Sequence, residues 1–451
     1  MRCTLSIAGA LSIAAAAALS PTALAQSAGP AVFAACNGNL RGSVTSWRIN
    51  PDGTVTLVQD LVIGERLSSE PSIPGTNAYS AALSPNGKYL AIGHATSFAQ
   101  EQVTIVRVHE DATLSQVTTF TEPSTPMDVV WLSDEVLAVT EAYTSGTNRV
   151  RSYRFDEETT AVTHVSTVDV GSFCTSLAKT PDGRWLFAND SPLQGSSAIR
   201  SIAVAPDGVL SVSGNAGYTF GYSLGLGMSP DGRRLYSGGG ISGGNVVSGF
   251  DFDAATGVLT DVPGMPFASA GSSPKQVAIA PSGNYALVGH GSDGTARLHL
   301  VDPQTGMLTY TGNFVDVGSQ GSLGFIDFVR VNGMDLALFT DRDTTGGRGM
   351  CSAVIEPNGT LTIKSMRVDG GGIDPMRVVA WVPSGPTCGT SDFNGDGDAG
   401  TDQDIEAFFA CIGGSCCDTC WAGGSDFNGD GDAGTDQDIE AFFRVLGGNP
   451  C

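Results

Sequence analysis

The chain has 451 residues, a formal net charge of −23 and 60 glycines, and only 15% of its residues are charged. This length suits one large domain with a smaller one, and the glycine content is typical of an all-β protein with many tight turns. The acidic excess argues against a nucleic-acid partner, because phosphates must be neutralised by lysine and arginine, and it favours cation binding.

Residues 1–25 have the pattern of a secretory signal peptide. Arg2 supplies a positive start, an apolar run of small side chains follows at 5–19, and "ALA" at 23–25 fits a signal peptidase site. Cys3 precedes the apolar run, which argues against a lipoprotein, and no later stretch approaches 18 uninterrupted apolar residues. We therefore expect an exported protein without a transmembrane segment, located outside the cell, at its surface or in the periplasm.

A turn followed by an apolar strand recurs through the middle of the chain. Four clear copies are "SPNGKYLAIGH" (84–94), "TPDGRWLFAND" (180–190), "SPDGRRLYSGG" (229–239) and "APSGNYALVGH" (280–290), and weaker copies lie at 132–141 and 331–341. Proline and the Asn-Gly, Asp-Gly or Ser-Gly pair supply the turn geometry. Seven strand–turn–strand signatures alternate with these copies, from "INPDGTVTLV" (49–58) to "IEPNGTLTI" (355–363).

A repeat of this length, with four short strands per unit, is typical of a propeller blade. The sequence therefore predicts an all-β seven-bladed β-propeller over residues 26–385. Residues 31–37 look like a second strand without a first, and 376–383 look like a first strand without a following blade. Pairing 376–383 with 31–58 would complete the last blade and remove two open sheet edges.

The turn "SPDG-x-x-L-Y" and the hairpin "D-P-x-T-G-x-L" resemble those of the seven-bladed lactonase-type propellers. That family includes 6-phosphogluconolactonase-like and muconate-lactonising enzymes. The resemblance covers about 30–383 and implies the architecture, since its motifs are turn and core residues. For lactone chemistry it implies a small set of His, Arg and Glu residues around the mouth of the propeller, and Arg377 is the best arginine for such a set.

The second strand of each blade ends on the mouth face, where propellers usually bind ligands. The residues at these ends are Asn37, His94, Glu141, Asp190, Gly239, His290 and Thr340 or Asp341, and starts of first strands add Asp128, Lys275, Gln276 and Arg377. One interpretation is that they are ordinary polar strand ends, solvated or bonded to backbone, and weakly packed on an open face. The other is a metal or acid/base cluster of His94, Glu141, Asp190 and His290.

The stretch "SDFNGDGDAGTDQDIEAFF" occupies 391–409 and occurs again, unchanged, at 425–443. Oxygen-bearing side chains at alternate positions, with glycine after the third, are the opening of a calcium-binding loop. The expected ligands are Asp392, Asn394, Asp396 and Asp398 in the first copy and Asp426, Asn428, Asp430 and Asp432 in the second. We therefore predict two bound Ca²⁺ ions.

The sequence leaves two candidates for the last ligand of each loop. Position 12, which is usually acidic, is Gln403 in the first copy and Gln437 in the second. Either Asp402 and Asp436 complete the loops, or Asp404 and Asp438 do so. We favour Asp404 and Asp438, since they directly precede the helix stripe. That stripe is Ile405, Phe408, Phe409 and Ile412 in the first copy and Ile439, Phe442, Phe443 and Leu446 in the second, and two such helices should pack stripe to stripe.

The two loop–helix units resemble a type I dockerin and, more closely, the GC-type dockerin tails that anchor exported bacterial proteins. The resemblance covers 388–451 and implies a cohesin-like or cell-surface anchoring partner. The cysteines of this region, Cys388, Cys411, Cys416, Cys417, Cys420 and Cys451, indicate a disulfide framework of unknown pairing, and "CCDTC" leaves zinc as the weaker alternative.

The leading functional hypothesis is an exported binding or assembly module, anchored by a calcium-dependent tail, with a small-molecule or carbohydrate ligand at the propeller mouth. The first alternative is a secreted lactonase-like hydrolase or isomerase on the same anchor. The second alternative is a structural envelope protein.

Overall fold

The computed structural model describes residues 29–67, 75–95, 102–142, 148–190, 197–221, 224–240, 244–317, 323–342, 348–383, 389–417, 419–421, 424–428 and 433–447. The predicted signal peptide, the cysteines Cys388 and Cys451, and the predicted ligands Asp430 and Asp432 lie outside these residues. Within the described part of the chain, no helix is long and apolar enough to cross a membrane.

The strands form seven antiparallel sheets that follow one another along the chain. Blade 1 begins with β1 (Ala31–Cys36), β2 (Arg41–Ile49) and β3 (Val55–Glu65). Blade 2 contains β4 (Ala78–Leu83), β5 (Tyr89–His94), β6 (Gln102–Val108) and β7 (Leu114–Thr121). Blade 3 contains β8 (Val129–Trp131), β9 (Val136–Glu141), β10 (Asn148–Phe155) and β11 (Val162–Gly171). Blade 4 contains β12 (Leu177–Lys179), β13 (Trp185–Asp190), β14 (Ser197–Val204) and β15 (Leu210–Thr219).

Blade 5 contains β16 (Leu226–Met228), β17 (Arg234–Gly238), β18 (Val246–Asp253), β19 (Val258–Asp261) and the short β20 (Phe267–Ala268), which also pairs with β18. Blade 6 contains β21 (Pro274–Ile279), β22 (Tyr285–His290), β23 (Thr295–Val301) and β24 (Leu308–Asp316). Blade 7 contains β25 (Leu323–Val331), β26 (Met334–Asp341), β27 (Gly349–Ile355) and β28 (Leu361–Val368). The predicted fold class, a seven-bladed all-β propeller with a small helical tail, is confirmed.

Blade 1 is completed by β29 (Pro375–Trp381), from the far end of the propeller sequence. β1 lies between β29 and β2, with Phe33 opposite Val379 and Ala34 opposite Val378. The rings of Phe33 and Trp381 lie 6.0 Å apart at their centroids. The ring of blades is therefore closed by a sheet that both ends share, in the pairing that the sequence analysis expects.

The second strand of a blade is buried on both faces. All six residues of β5, "YLAIGH", and of β9, "VLAVTE", are buried, because a neighbouring blade covers each face. The large core clusters accordingly span adjacent blades, as when Phe33 of β1 packs with Leu90 and Ile92 of β5. Each such side chain contributes roughly 1.5–3 kcal/mol when fully buried, so a single blade has little stability without its neighbours.

The turn before β13 packs against the preceding blade. In "TPDG", the Thr180 hydroxyl donates a hydrogen bond to Asp182 Oδ1 at 2.5 Å, and Gly183 has a φ of 68°. A Cβ at Gly183 would collide with the carbonyl oxygen of Leu132 in blade 3. The recurring glycine thus suits the left-handed backbone of these turns, and at Gly183 the close approach of two blades also requires it.

The C-terminal region contains α1 (Asp402–Ile412) and α2 (Asp436–Leu446). The rings of Phe408 and Phe442 stack at 4.2 Å, and Phe393 and Phe427 complete a buried aromatic core. Each helix therefore buries one phenylalanine of its pair. Phe409 and Phe443, which the predicted stripe places inside, are instead 43% and 45% exposed, because the partner helix covers only one side of so short a helix.

Two disulfides join neighbouring cysteines next to α1. Cys411 pairs with Cys416, and Cys417 pairs with Cys420. Cys417 and Cys420 are therefore bonded to each other, which disagrees with zinc binding by "CCDTC". Cys36, Cys174 and Cys351 of the propeller are buried thiols.

Candidate functional site

The first strands of the blades form the inner wall of the propeller. Each of them contacts the first strands of both neighbouring blades, so that β4, β8, β12, β16, β21, β25 and β29 make a closed ring. Side chains near the starts of these strands meet around the propeller axis at the mouth. These side chains are therefore the candidates for a ligand site.

Several of these side chains bond to the backbone of the next blade. Gln276 of β21 donates to the Ile326 carbonyl at 2.9 Å and accepts from the Ile326 N–H at 2.7 Å. Asp327 of β25 accepts from the Ala380 N–H at 2.8 Å, and burial raises the pKa of its carboxyl. Gln276, a predicted mouth residue, therefore has both functional ends of its amide engaged in joining blades 6 and 7.

Arg377 and Asp128 meet across the mouth. Arg377 Nη2 donates to Asp128 Oδ1, and Asp128 Oδ2 accepts from the Leu177 N–H at 2.9 Å. Asp128 is 1% exposed, so this ion pair is almost out of contact with water. The carbon of the Arg377 guanidinium lies 4.3 Å from the centroid of the Phe325 ring, within range of a cation–π interaction.

Lys275 approaches the same aromatic ring from blade 6. Pro274 is opposite His290 and Gln276 is opposite Gly289, so Lys275 is the extra residue of a β-bulge, a feature that often re-aims side chains at sites. Its ammonium lies 5.4 Å from the centroid of the Phe325 ring and donates to the Leu323 carbonyl. Lys275 is only 5% exposed.

Burial, together with the positive charges of Arg342 and Arg377 and against the opposing charge of Asp374, lowers the pKa of Lys275 to about 7. In the described part of the chain, no carboxylate forms an ion pair with Lys275. A lysine in such surroundings changes its charge near neutral pH.

Arg342 and Asp374 form the second ion pair near the mouth. Arg342 donates to the two carboxylate oxygens of Asp374 at 2.6 and 3.1 Å, the two-pronged geometry that is strongest for arginine. Asp374 also accepts from the side-chain amide of Asn37 at 3.3 Å and has a φ of 55°, which is uncommon outside glycine. The sequence analysis names Asn37, Lys275 and Arg377 but misses Arg342, Asp374 and Phe325.

His94 and His290 are both fully buried, so the expectation that they are weakly packed on an open face is wrong. The ring nitrogens of His94 bond to the Thr76 carbonyl and the Thr104 hydroxyl, each at 2.9 Å. His290 Nδ1 bonds to the Thr295 carbonyl at 3.2 Å. Burial lowers the pKa of each histidine to about 4. Neither ring has the solvent access that a general base at the mouth needs.

Glu141 and Asp190 each pair with an arginine of their own blade. Glu141 of β9 accepts from Arg151 of β10 at 2.8 Å, and Asp190 of β13 accepts from Arg200 of β14 at 2.9 Å. Within the described ranges, no three His, Cys, Asp or Glu side chains are grouped so that they could hold a metal ion. The hypothetical cluster of His94, Glu141, Asp190 and His290 is therefore not brought together.

The larger clefts lie at the opposite end of the propeller. One of about 480 Å³ lies between blades 3 and 4, where turn residues such as Ser133, Arg184 and Pro206 line it. Another, of about 460 Å³, lies between blades 6 and 7. These are grooves between adjacent turns, and we place the candidate site at Lys275, Phe325 and Arg377 instead, because two cationic side chains meet one aromatic ring there.

The first acidic loop of the tail has turns made by its own side chains. Asn394 Oδ1 accepts from the Asp396 N–H, and Asp396 Oδ1 accepts from the Asp398 N–H, each at 2.9 Å. Asp392 Oδ2 accepts from the Gly397 N–H at 3.1 Å, while its buried Oδ1 has no hydrogen-bond partner among the described residues. A buried carboxylate oxygen without a donor is a ligand that a hard cation would take, although the carboxylates of this described loop are not grouped as a metal site.

Asp404 does not fit the same role. Its Oδ1 accepts from the Asn394 N–H at 3.2 Å, and its Oδ2 accepts from the Thr401 N–H and hydroxyl at 2.8 and 2.9 Å. Burial opposes ionisation of Asp404, but these hydrogen bonds lower its pKa overall. Asp438 makes the equivalent contacts to Asn428 and Thr435. The geometry favours the alternative assignment, in which these two residues cap the helices.

Comparison with known proteins agrees with the fold. The family model described as "Lactonase, 7-bladed beta-propeller" matches residues 221–325. A "putative 6-phosphogluconolactonase" from Bacteroides uniformis has 16% identity and a TM-score of 0.60, with 78% of this chain and 100% of that chain covered. A functionally unknown protein from Desulfotomaculum acetoxidans has 12% identity and a TM-score of 0.57, with 79% and 100% covered.

A hypothetical selenium-binding protein from Sulfolobus tokodaii has 10% identity and a TM-score of 0.56, with 79% of this chain and 94% of that chain covered. No curated protein sequence matches the chain. At these identities the likeness concerns the fold alone. The propeller therefore has the fold of the lactonase-type seven-bladed β-propellers, and the predicted resemblance of residues 30–383 is confirmed at that level.

Proposed function

We propose that this protein is an exported binding module that holds a small polar molecule at the mouth of the propeller axis. The proposal is carried by two cationic side chains that lie over one aromatic ring. The Lys275 ammonium is 5.4 Å and the Arg377 guanidinium carbon 4.3 Å from the centroid of the Phe325 ring. Small-molecule sites typically combine an apolar surface with a few convergent polar groups and with pKa values shifted from normal.

The geometry supports binding more directly than it supports catalysis. The histidines that would be general bases at neutral pH are enclosed, and Glu141 and Asp190 already pair with arginines. Lys275 remains, since its lowered pKa suits either a hydrogen-bond donor or a base. We therefore propose ligand binding, and not catalysis, as the primary function of the site.

A lactonase-like hydrolase or isomerase is the second candidate, and the lactonase-type fold favours it. In this reading Arg377 would hold the carbonyl oxygen of the ring ester, and the neutral form of Lys275 would take a proton from the attacking water. Turnover would then rise with pH through about 7, as Lys275 loses its proton. The structural envelope reading has no comparable observation in its favour.

The binding proposal is tested by thermal shift with uncharged sugars, sugar acids and lactones, using the wild type and Phe325→Leu. This substitution keeps most of the buried volume and removes the aromatic ring. We expect at least one class of compound to raise the Tm of the wild type and to lose most of that effect in the variant. If no compound raises the Tm, or if the variant responds equally, the proposal fails.

The enzyme alternative is tested with the same lactones in a hydrolysis assay. If the wild type hydrolyses a lactone, and if Lys275→Met folds but reduces the rate by about 10²-fold or more, the enzyme alternative replaces the binding proposal. Turnover at the background rate in the wild type would leave the binding proposal as the better one.

For the tail we propose calcium-stabilised attachment to a cohesin-like or cell-surface partner, outside the cytoplasm. The duplicated loops, the free Asp392 Oδ1 oxygen and the signal-like residues 1–25 support this role. The ligands within the first loop would be Asp392, Asn394, Asp396 and Asp398, and a bound calcium ion would hold the turn that leads into α1.

A further inference from the structure

Among the described residues around the propeller axis, one cationic side chain has no carboxylate partner. Lys275, Arg342 and Arg377 meet there; Arg377 pairs with Asp128 and Arg342 pairs with Asp374, while the carboxyl of Asp327, near Arg377, is buried and has a raised pKa. Lys275 is left with one positive charge and, in the described structure, without an ion-pair partner. This occurs on a chain whose formal net charge is −23, so a local positive excess is not a consequence of composition.

We propose that the axial site takes a small monocarboxylate, whose negative charge supplies the missing partner of Lys275. The inference rests on the proposed function, because it names the ligand class of the same site. Lys275 has three N–H donors and gives one to the Leu323 carbonyl, which leaves donors for a carboxylate oxygen. Phe325 would provide the apolar surface beside it.

A monoanion fits better than a dianion such as phosphate. Asp128 and Asp374 already neutralise the two arginines, so a second ligand charge would lie uncompensated among largely buried groups. Uncharged ligands would leave Lys275 in its present state. The charge balance therefore selects a single negative charge.

The same geometry couples binding to pH. The charged groups that face Lys275 are Arg342, Arg377 and Asp374, and its pKa is lowered to about 7. A carboxylate beside the ammonium favours the protonated lysine, so binding takes up a proton wherever the free site is deprotonated. Affinity should be greatest below pH 7 and should fall as the pH rises above it, by at most tenfold per pH unit.

The test is calorimetry on the full chain with D-gluconate and with its uncharged analogue D-gluconamide, at pH 6.0 and 8.5, and with inorganic phosphate as a third probe. We expect gluconate to bind at least tenfold more tightly than gluconamide at pH 6.0 and to lose at least fivefold in affinity at pH 8.5. Equal affinities for gluconate and gluconamide, tighter binding of phosphate, or no binding of gluconate would overturn the inference.

Variants locate the effect. Lys275→Met should abolish the preference for gluconate, and Lys275→Arg should retain it without the loss at pH 8.5. Lys179→Met is the matched control. Lys179 is one of only four lysines and is partly buried on β12. Burial lowers the pKa of Lys179 too, although the charges of Asp134 and Asp182 oppose the decrease. An equal effect of Lys179→Met would also count against the site.

Failure of this inference can be distinguished from failure of the proposed function. If gluconamide or an uncharged sugar binds, and Phe325→Leu weakens that binding, the ligand site stands and the anion preference falls. The pH dependence of the wild type needs no variant, so the inference remains testable if a Lys275 variant does not fold.

Discussion

Arg377 donates a hydrogen bond to Asp128, 249 residues away in the chain, and so joins β29 of blade 1 to the start of β8 in blade 3. Blade 2 lies between these two blades in the ring. The ion pair thus spans a whole blade at the propeller mouth. Because β29 is also the strand that closes the ring, the candidate site is complete only when the two ends of the propeller have paired.

The first prediction concerns this ion pair. Arg377→Met should lower the free energy of unfolding by roughly 3–5 kcal/mol, because it leaves the buried Asp128 carboxylate unpaired. Adding Asp128→Asn should recover part of that loss, since no buried charge then remains. Urea unfolding of the two single variants and the double variant gives the coupling. Strictly additive losses would show that the pair does not act as a unit.

The second prediction concerns acid. In the folded protein the pKa of His94 is about 4, below the ordinary 6.5. The contribution of the neutral ring to the free energy of unfolding is therefore fully present above pH 6.5 and is lost as the pH falls towards 4. The loss for this residue should approach about 3 kcal/mol. Comparing urea unfolding of the wild type and His94→Gln at pH 7.5 and 4.5 isolates it. The difference between the two proteins should shrink at pH 4.5, and a difference independent of pH would contradict the buried neutral ring.

The third prediction has the opposite sign. Burial raises the pKa of Glu122 to about 7, although the hydroxyl of Tyr153 and the charge of Arg151 oppose the rise. The folded protein therefore keeps a proton between pH 4.5 and 7 that the unfolded chain releases, and stability from this group falls as the pH rises through that window. Glu122→Gln should stabilise the protein by roughly 1–3 kcal/mol at pH 8 and by little at pH 4.5.

Glu135→Gln is the matched control for Glu122→Gln. Glu135 pairs with Arg154 at 2.6 Å, but its side chain is 67% exposed. An exposed ion pair contributes at most about 1 kcal/mol, so this variant should change stability little at either pH. A destabilised Glu122→Gln at pH 8 would show that the surroundings of Glu122 stabilise its ionised carboxylate, which contradicts the raised pKa.

The fourth prediction concerns calcium. The oxidised full-length protein, freed of metal with a chelator, should bind two Ca²⁺ ions in calorimetry. Asp392→Asn should remove or greatly weaken one of them, because its buried Oδ1 has no other partner. Binding of no ion, or of one, would contradict the dockerin-like interpretation of 388–451.

Asp404→Asn separates capping from coordination. Asp404 caps α1, so its replacement should lower helical signal and stability while one-site affinity for Ca²⁺ changes less than in Asp392→Asn. A loss of one ion that equals the effect of Asp392→Asn would return Asp404 to the ligand set that the sequence analysis favours.

Much of the fold can be predicted from the sequence, because the same turn and strand patterns recur in successive blades. The turns, the apolar second strands and the unmatched segments at 31–37 and 376–383 are all local patterns. The mouth is less accessible to such reasoning, since Phe325, Arg342 and Asp374 acquire their roles from partners in other blades. One signal is nevertheless present: proline precedes Asp128, Gln276 and Arg377 by two positions, in "PMDV" (126–129), "PKQV" (274–277) and "PMRV" (375–378).

The burial of His94 shows why a strand end is not always exposed. Gly93 leaves no room for a Cβ, which would lie 2.7 Å from the Pro126 carbonyl oxygen of the next blade. The glycine therefore lets blade 3 approach closely at the point where β5 ends, and the histidine is covered. Phe409 and Phe443 show the converse, because short helices in a two-helix unit have too little partner surface to cover both phenylalanines.

The shared blade also determines when the propeller can form. Ala31 pairs with Trp381, so β1 waits for the last strand of the propeller to be synthesised before it gains its inner neighbour. Closing so long a loop costs conformational entropy before any contact rewards it, and topologies of this kind fold slowly. The export that we propose would benefit from this delay, since a polypeptide that has not yet locked its ring can still be threaded through a translocation pore.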